Sequence, residues 1–267
     1  MLKHHGTVIC AQRDNEGLLE VIDLDGVRSL YFGTRACQSS MSLADPAALT
    51  LAYTRSMLAA LLFQPAPARI LLIGLGGGSL ARFLLQHMPE AELACIETRA
   101  SVVELARDHF HLSEQDRLKI HITDGADFLS TCTEHAFDLI LIDAFDSIGV
   151  HPSVCTPEFH AAVRRALAPE GVMSMNLWIT RGRSYENSLK NIATGFGGQI
   201  LRLPVEQRAN LIVLGLDKPR TRQALKELRE PAQSLAARYG LEFPKLLRSL
   251  QHHNGVSVRR LFELRIG

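Results

Sequence analysis

The chain has 267 residues, of which 46% are hydrophobic and 21% are charged, a balance typical of a folded globular protein and not of a disordered one. The 29 basic and 28 acidic side chains nearly cancel, so the composition lacks the basic excess of a dedicated nucleic-acid-binding protein. Apolar runs such as residues 70–75 are of strand length, far below the roughly 20 residues that span a bilayer. We therefore expect neither nucleic acid nor a membrane as a partner.

Cysteine and histidine patterns give no indication of a metal or disulfide site. The five cysteines are odd in number and none forms a C-x-x-C pair, which favours free thiols in a reducing compartment. The histidines lack metal-ligand spacing, so we expect no metal. No apolar run follows the charged N-terminal residues, so we expect no signal peptide and a cytoplasmic location.

The first 65 residues predict a small β-rich unit followed by a helix. Asp25-Gly26 is a hairpin signal between two apolar runs, at residues 17–24 and 28–32. Asp45 and Pro46 predict a helix start, because aspartate caps helices and proline suits the first helical position. The proline-rich segment 64–67 predicts the boundary between an N-terminal domain over residues 1–65 and a larger domain over residues 66–267.

From residue 68 onward strand and helix patterns alternate, which predicts a parallel sheet covered on both faces. Two further runs, 200–204 and 211–216, predict a closing pair of strands, and residues 220–267 predict two or three helices. The fold class is therefore α/β, with a Rossmann-like, mostly parallel sheet of seven strands. The five parallel strands are expected at 69–74, 92–97, 118–123, 137–143 and 172–178, with helices at 79–87, 100–110, 126–131 and 157–167.

A glycine-rich turn follows the first of these strands and contains Gly74, Gly76, Gly77 and Gly78. Without Cβ atoms such a turn lets a ligand approach the backbone, and the helix after it presents its N-terminal amides. Glu97 ends the next strand about 20 residues later, where an acidic side chain in such folds binds ribose hydroxyls. A turn that only packs a helix against a strand remains the alternative.

The spacing of the glycines resembles a nucleoside site more than a dinucleotide site. Gly74, Gly76 and Gly78 fit the G-x-G-x-G of motif I in class I S-adenosylmethionine-dependent transferases. Asp124-Gly125 follows the third strand, where that class holds the adenine amino group. An ordinary helix N-cap explains Asp124 equally well.

Two carboxylates, Asp143 and Asp146, follow the fourth strand. Ligands in open α/β sheets bind beyond the carboxyl ends of the strands, so we expect Asp143 to face the same crevice as the glycine turn. One carboxylate can hold or deprotonate an amine while the other attracts a cationic substrate. A turn closed by an Asx cap is the alternative.

Taken together, the run from Leu18 to Val172 resembles the spermidine synthase (polyamine aminopropyltransferase) family. The glycine turn, Glu97, Asp124-Gly125 and the segment 143–149 follow in the family's order. The resemblance implies transfer of an aminopropyl group from decarboxylated S-adenosylmethionine to a small-molecule amine, with no tightly bound cofactor. It also implies a homodimer formed partly through the N-terminal strands. The nucleoside would be held by Gln38, Gly74, Gly76, Gly77, Gly78, Glu97, Asp124 and Gly125, with Asp143 as proton acceptor and Asp146 as second acidic anchor.

Three departures from the family pattern concern the amine half of the site. The aspartate of the family's glycine loop is replaced by Gly77, the Tyr-His-Glu segment becomes Tyr53-Thr54-Arg55, and a proline becomes Val150. Loss of an aspartate removes a charge that would repel a carboxylate, so both decarboxylated and intact S-adenosylmethionine stay candidate donors. An S-adenosylmethionine-dependent methyltransferase and a catalytically silent nucleoside-binding module are the alternative functions, and nicotinamide-dependent oxidoreduction ranks last.

Overall fold

The chain opens with an antiparallel sheet of four strands in chain order: β1 (Thr7–Asp14), β2 (Gly17–Leu24), β3 (Val27–Tyr31) and β4 (Cys37–Ser42). The computed structural model describes residues 5–145, 150–179, 184–218 and 222–254. In the turn between β2 and β3, Asp25 and Gly26 both have positive φ, 50° and 75°. This geometry is that of a tight two-residue hairpin, so the hairpin prediction is confirmed.

The larger sheet has seven strands: β5 (Arg69–Ile73), β6 (Glu92–Glu97), β7 (Leu118–Ile122), β8 (Phe137–Ile142), β9 (Leu167–Trp178), β10 (Ile200–Pro204) and β11 (Asn210–Leu216). Their order is β10-β11-β9-β8-β5-β6-β7. Strands β5 to β9 run parallel, while β11 is antiparallel to both β9 and β10. The predicted α/β class and mostly parallel seven-stranded sheet are confirmed.

Helices cover both faces of the larger sheet because its strands are apolar on both sides. On β5, Ile70 and Leu72 belong to the apolar cluster of one face, and Leu71 and Ile73 belong to that of the other. This alternation follows from the period of two in a strand. The helices are α1 (Ala52–Met57), α2 (Ser79–His87), α3 (Ala100–His109), α4 (Gly125–Thr131), α5 (Pro157–Ala166), α6 (Ser184–Gly195), α7 (Arg222–Glu227), α8 (Arg229–Tyr239) and α9 (Phe243–His253). Short 3₁₀ helices occupy Leu58–Leu62 and Pro152–Cys155. Among the described residues no helix combines the length and apolarity that crossing a bilayer requires.

The helix predicted to start at Asp45 is wrong over its first two turns, because α1 begins seven residues later. Carbonyl groups of the intervening backbone accept hydrogen bonds from side chains. The Pro46 carbonyl accepts from Arg82 Nε at 2.9 Å, and the Thr50 carbonyl accepts from Arg55 Nη1 at 3.2 Å. The contact with Arg82, 36 positions away, is tertiary and overrides the local capping signal.

The 3₁₀ helix that links the small sheet to the larger unit packs into the larger unit. All five residues of Leu58–Leu62 are buried and belong to the same apolar cluster as Ile70 and Leu72. The domain boundary at residue 65 stays a prediction, since nothing in the packing separates this segment from the larger sheet.

The small sheet is fixed over α3 by a shared core and an ion pair. Leu19 and Leu30 pack in one cluster with Leu105 and other residues of α3. Asp14 accepts two hydrogen bonds from the Arg99 guanidinium, at 2.7 and 3.0 Å, and these hold the pKa of Asp14 down to about 2. This anchoring brings β4 against the glycine turn of the larger unit.

Arg82 is a buried cation that connects the glycine turn with the segment before α1 and the end of α3. Its substitution gives the first test. Its guanidinium donates to the carbonyls of Pro46, Gly77 and Phe110, and burial lowers its pKa to about 10. Arg82→Leu leaves three carbonyls without a donor, so we expect urea denaturation to show a loss of about 3 kcal/mol in the free energy of unfolding.

Arg248→Leu on the exposed face of α9 is the matched control for this substitution. We expect it to change the free energy of unfolding by less than about 0.5 kcal/mol. A similar small effect of Arg82→Leu would contradict the assigned role of Arg82.

Candidate active site

A cavity of about 590 Å³ lies at the carboxyl ends of β5 and β8. These strands flank the point where the strand order of the sheet reverses, which is where open α/β sheets bind ligands. The residues predicted from the sequence that line the cavity are Gln38, Gly74, Gly76, Glu97, Asp124, Gly125 and Asp143. Gly77 and Gly78 do not line it, and Asp146 lies outside the described residues.

Gly74 is required by the close approach of two strand ends. Its φ is +92°, and a Cβ at this position would lie 2.2 Å from the Asp143 carbonyl oxygen. The Gly74 amide also donates to the Ile96 carbonyl at 2.8 Å. A glycine here therefore lets β5 and β8 bring the turn and Asp143 to the same wall of the cavity.

Gly77 is placed differently from the sequence expectation. A Cβ on Gly77 would lie 2.9 Å from Ser39 Oγ and 3.0 Å from Phe110 Cδ1. The space beside it is thus filled by β4 and by the end of α3, and it does not open into the cavity. Gly77 therefore opens no space for the carboxylate of intact S-adenosylmethionine, and the choice between the two candidate donors stays a prediction.

Glu97 is fixed at the end of β6 with its carboxylate at the cavity wall. Its Oε2 accepts from the Leu75 amide at 3.1 Å, and its Oε1 accepts from the Arg99 amide at 3.1 Å. The residue is only 9% exposed, so these amides set its orientation. Its Oε1 also accepts from the Thr98 hydroxyl at 3.4 Å, a long contact, while Oε2 keeps a further acceptor position that suits a ribose hydroxyl.

Asp124 caps α4, as the alternative interpretation expects. Its Oδ1 accepts from the Ala126 amide at 2.7 Å. Its Oδ2 accepts from the Ser153 hydroxyl at 2.7 Å, and Ser153 Oγ in turn lies 2.8 Å from Nδ1 of His151. The predicted contact with an adenine amino group is compatible with the remaining acceptor positions and stays a prediction.

Asp143 carries the chemistry of the other half of the cavity. Its Oδ2 accepts from the Tyr53 hydroxyl at 3.0 Å and its Oδ1 accepts from Asn176 Nδ2 at 2.9 Å. Burial raises the pKa of this carboxyl to about 6, although both hydrogen bonds favour the charged form. Asp143 is therefore a stronger base than an ordinary aspartate and is still ionised at neutral pH.

Asn176 and Asn210 were missed by the sequence interpretation. Asn176 must present its amide nitrogen to the Asp143 carboxylate, so its oxygen is left as an acceptor, and Asn210 Nδ2 donates to it at 3.0 Å. A polar residue within the apolar run 172–178 was the available signal for Asn176. Asn210 carries no such signal, since its partner is 34 positions away.

The segment that departs from the family pattern has its own contacts. Thr54 is buried at 2% exposure and donates to the Leu51 carbonyl at 2.7 Å. Arg55 lines the cavity and pairs through Nε with Oε1 of Glu242 at 3.1 Å. The substitutions therefore leave a folded and internally satisfied wall.

Comparisons with known proteins agree with this geometry. The family model described as "Spermine/spermidine synthase domain" matches residues 51–194. A polyamine aminopropyltransferase of Chromobacterium violaceum is 34% identical over 237 residues, which cover 88% of this chain and 90% of that protein.

Two solved structures resemble the fold. A spermidine synthase in complex with the transition state analogue AdoDATO is 19% identical, with a TM-score of 0.70, over 91% of this chain and 84% of that one. Human methyltransferase-like protein 13, in complex with SAH, is 27% identical, with a TM-score of 0.61, over 71% and 93%. Of these two structures, the synthase matches the larger share of this chain.

The raised pKa of Asp143 predicts how stability depends on pH. The carboxyl has a pKa of 3.8 in the unfolded chain and about 6 in the folded protein, so folding favours the protonated form. The associated stability is complete below about pH 4, falls as the pH rises to about 6 and is absent above that. Compared with Asp143→Asn, the wild type should lose at most about 3 kcal/mol across this interval.

Urea denaturation of both proteins at several pH values measures this difference. The comparison isolates Asp143 because every other titrating group is common to the two proteins. A difference that stays constant between pH 4 and pH 7 would show that Asp143 titrates normally.

Proposed function

Because the chain belongs to the spermine/spermidine synthase family, we propose that it is a transferase that moves an aminopropyl group from decarboxylated S-adenosylmethionine to an amine. The amine lone pair forms a bond to the carbon beside the sulfonium. The carbon–sulfur bond breaks, its electron pair goes to sulfur, and methylthioadenosine leaves as a neutral thioether. One proton of the new ammonium passes to a base.

The donor half of the site is formed by Glu97 and the glycine turn. Glu97 is oriented by two backbone amides, and Gly74 and Gly76 expose backbone without a Cβ at the cavity wall. This pairing suits a ribose diol on the carboxylate and a nucleoside lying over bare backbone. The donor acts as a co-substrate that is consumed, and no tightly bound cofactor is required.

The environment of Asp143 is the main observation that supports the proposal. Alkylamines are mostly protonated at neutral pH, whereas the nucleophile must be neutral, so a base is required beside the acceptor nitrogen. Tyr53 and Asn176 each occupy one acceptor position of the carboxylate, which leaves positions for an ammonium. The pKa of about 6 brings the base closer to neutral pH than an ordinary aspartate.

The acceptor is a small-molecule amine, and we propose a homodimer as the working form in the cytoplasm. Val8, Ile9 and Leu24 of the small sheet are 55%, 39% and 46% exposed, and this group of apolar side chains on neighbouring strands favours a second copy as their cover. All five cysteines are free, as is common in reducing compartments.

Product analysis tests the transferase. We expect mass spectrometry to find methylthioadenosine when the protein meets decarboxylated S-adenosylmethionine and a suitable amine. Asp143→Asn should lower kcat by about 10²- to 10⁴-fold because it removes the base. Its calorimetric affinity for the donor should stay within about twofold, since Asp143 touches the acceptor side, whereas Glu97→Ala should weaken donor binding by at least about tenfold.

Asp127→Asn provides the control, since Asp127 is an exposed carboxylate on α4 that does not line the cavity. It should leave both kcat and donor affinity unchanged. Release of S-adenosylhomocysteine from intact S-adenosylmethionine would instead show a methyltransferase. Tight donor binding with no product from any amine would show a silent module.

Light scattering after gel filtration tests the homodimer. We expect a mass twice the 29.5 kDa of one chain. The double variant Val8→Asp and Leu24→Asp should run as a monomer, because charges on both side chains make the apolar contact costly. A monomeric wild type at micromolar concentration would refute this proposal and leave the transferase untouched.

A further inference from the structure

The acceptor half of the cavity carries an unusual set of charges for a site that takes a polycation. This half lies at the ends of β8 and β9 and at the start of β11, across Asp143 from Glu97. Among the described lining residues, its charged side chains are Asp143, Arg55 and Arg208. A diamine binds most readily where carboxylates outnumber cations, and the described part of this wall shows no such excess.

The two arginines differ in how their charges are compensated. Arg55 pairs with Glu242 at 3.1 Å and donates to the Leu49 carbonyl at 2.8 Å, so its charge is used within the fold. Arg208 is exposed, and its guanidinium forms no ion pair with any residue in the described ranges. Its charge is therefore available to a ligand in the cavity.

Strand geometry sets the distance between Arg208 and the base. Arg208 lies in the turn between β10 and β11, two residues before Asn210, whose side chain connects through Asn176 to Asp143. In the sheet β11 is two strands from β8, a lateral separation of about 10 Å. The register places Asp143, which follows β8, level with Asn176 and Ile212, so Arg208 lies four residues along the chain from that level. Both side chains line the cavity, and the long side chain of arginine reaches over part of this separation, so a linear substrate would have to bridge the rest.

We infer that the acceptor is an amino acid-like amine whose carboxylate, at the end remote from the reacting nitrogen, is bound by Arg208. This assignment rests on the proposed aminopropyl transfer and names its acceptor class. An ammonium at the same end, as in a diamine, would meet a like charge, whereas a carboxylate would form an ion pair. Phe145 and Trp178, whose rings lie 6.4 Å apart at the cavity wall, enclose the alkyl chain between the two ends.

A matched pair of acceptors tests the inference. 4-Aminobutanoate and 1,4-diaminobutane share the chain length and the reacting amine and differ at the far end. We expect the wild type to release methylthioadenosine with a kcat/KM at least about tenfold higher for the amino acid. Arg208→Gln should remove this preference and Arg208→Glu should reverse it in favour of the diamine. Arg248→Glu, the same charge change on α9 outside the cavity, should leave the preference intact.

A second arm asks whether the carboxylate that Arg208 binds belongs to the donor. Intact and decarboxylated S-adenosylmethionine are compared at a fixed acceptor in the wild type and in Arg208→Gln. A change in donor preference without a change in acceptor preference would overturn the inference, as would a wild type that prefers the diamine.

Calorimetry keeps the inference testable if no product forms. Both acceptors are titrated into protein saturated with methylthioadenosine. Tighter binding of 4-aminobutanoate, lost in Arg208→Gln, would support the acceptor class even where the proposed transfer fails. Equal binding, or tighter binding of the diamine, would contradict it while leaving the transfer to be judged from the product assay.

Discussion

The contact between the ends of β5 and β8 is the constraint on which the site depends. Gly74 approaches the Asp143 carbonyl so closely that even one methyl group would lie 2.2 Å from it. The Asp143 amide donates to the Ile73 carbonyl at 2.8 Å, which fixes the same junction from the other side. In the proposed reaction the donor lies over the glycine turn and the base follows β8, so this junction would set the position of the reacting carbon relative to the proton acceptor. Such positioning supplies a large part of the barrier reduction in a displacement between two bound molecules.

The small sheet completes the cavity from outside the junction. Ser79, the first residue of α2, donates to the Ser40 carbonyl at 2.9 Å and lies 3.0 Å from Ser39 Oγ. β4 is thereby tied to the glycine turn, and Gln38 becomes part of the wall. Arg82 adds a second tie from below, since it donates to the Gly77 and Phe110 carbonyls. The Ser79 hydroxyl and the Gly77 carbonyl are thus hydrogen-bonded within the protein, which fixes the glycine turn against its neighbours.

The donor half of the site was predictable from the sequence, whereas the acceptor half was only partly so. Gly74, Glu97 and Asp143 each follow a strand whose apolar run is visible in the sequence, and parallel strands bring their carboxyl ends to one edge. The amide contacts of Asn176 and the pairing of Arg55 with Glu242 join residues 34 and 187 positions apart, and no local pattern encodes such contacts. Gly77 was expected at the cavity wall but does not line it. The reason is the same, because the atoms beside it come from β4 and from the end of α3.

The hydrogen-bond chain from Asn210 through Asn176 to Asp143 connects the two ends of the acceptor site. A carboxylate only accepts, so the orientation of the Asn176 amide is determined, and Asn210 is the donor that stabilises this orientation. Asn210 begins β11, directly after the turn that carries Arg208. The backbone that positions Arg208 therefore also positions Asn210, which supports the hydrogen bond between Asn176 and Asp143. In the proposed reaction acceptor length and proton transfer would be coupled, since a displacement of the turn would alter both the reach of Arg208 and the hydrogen bonding of Asp143.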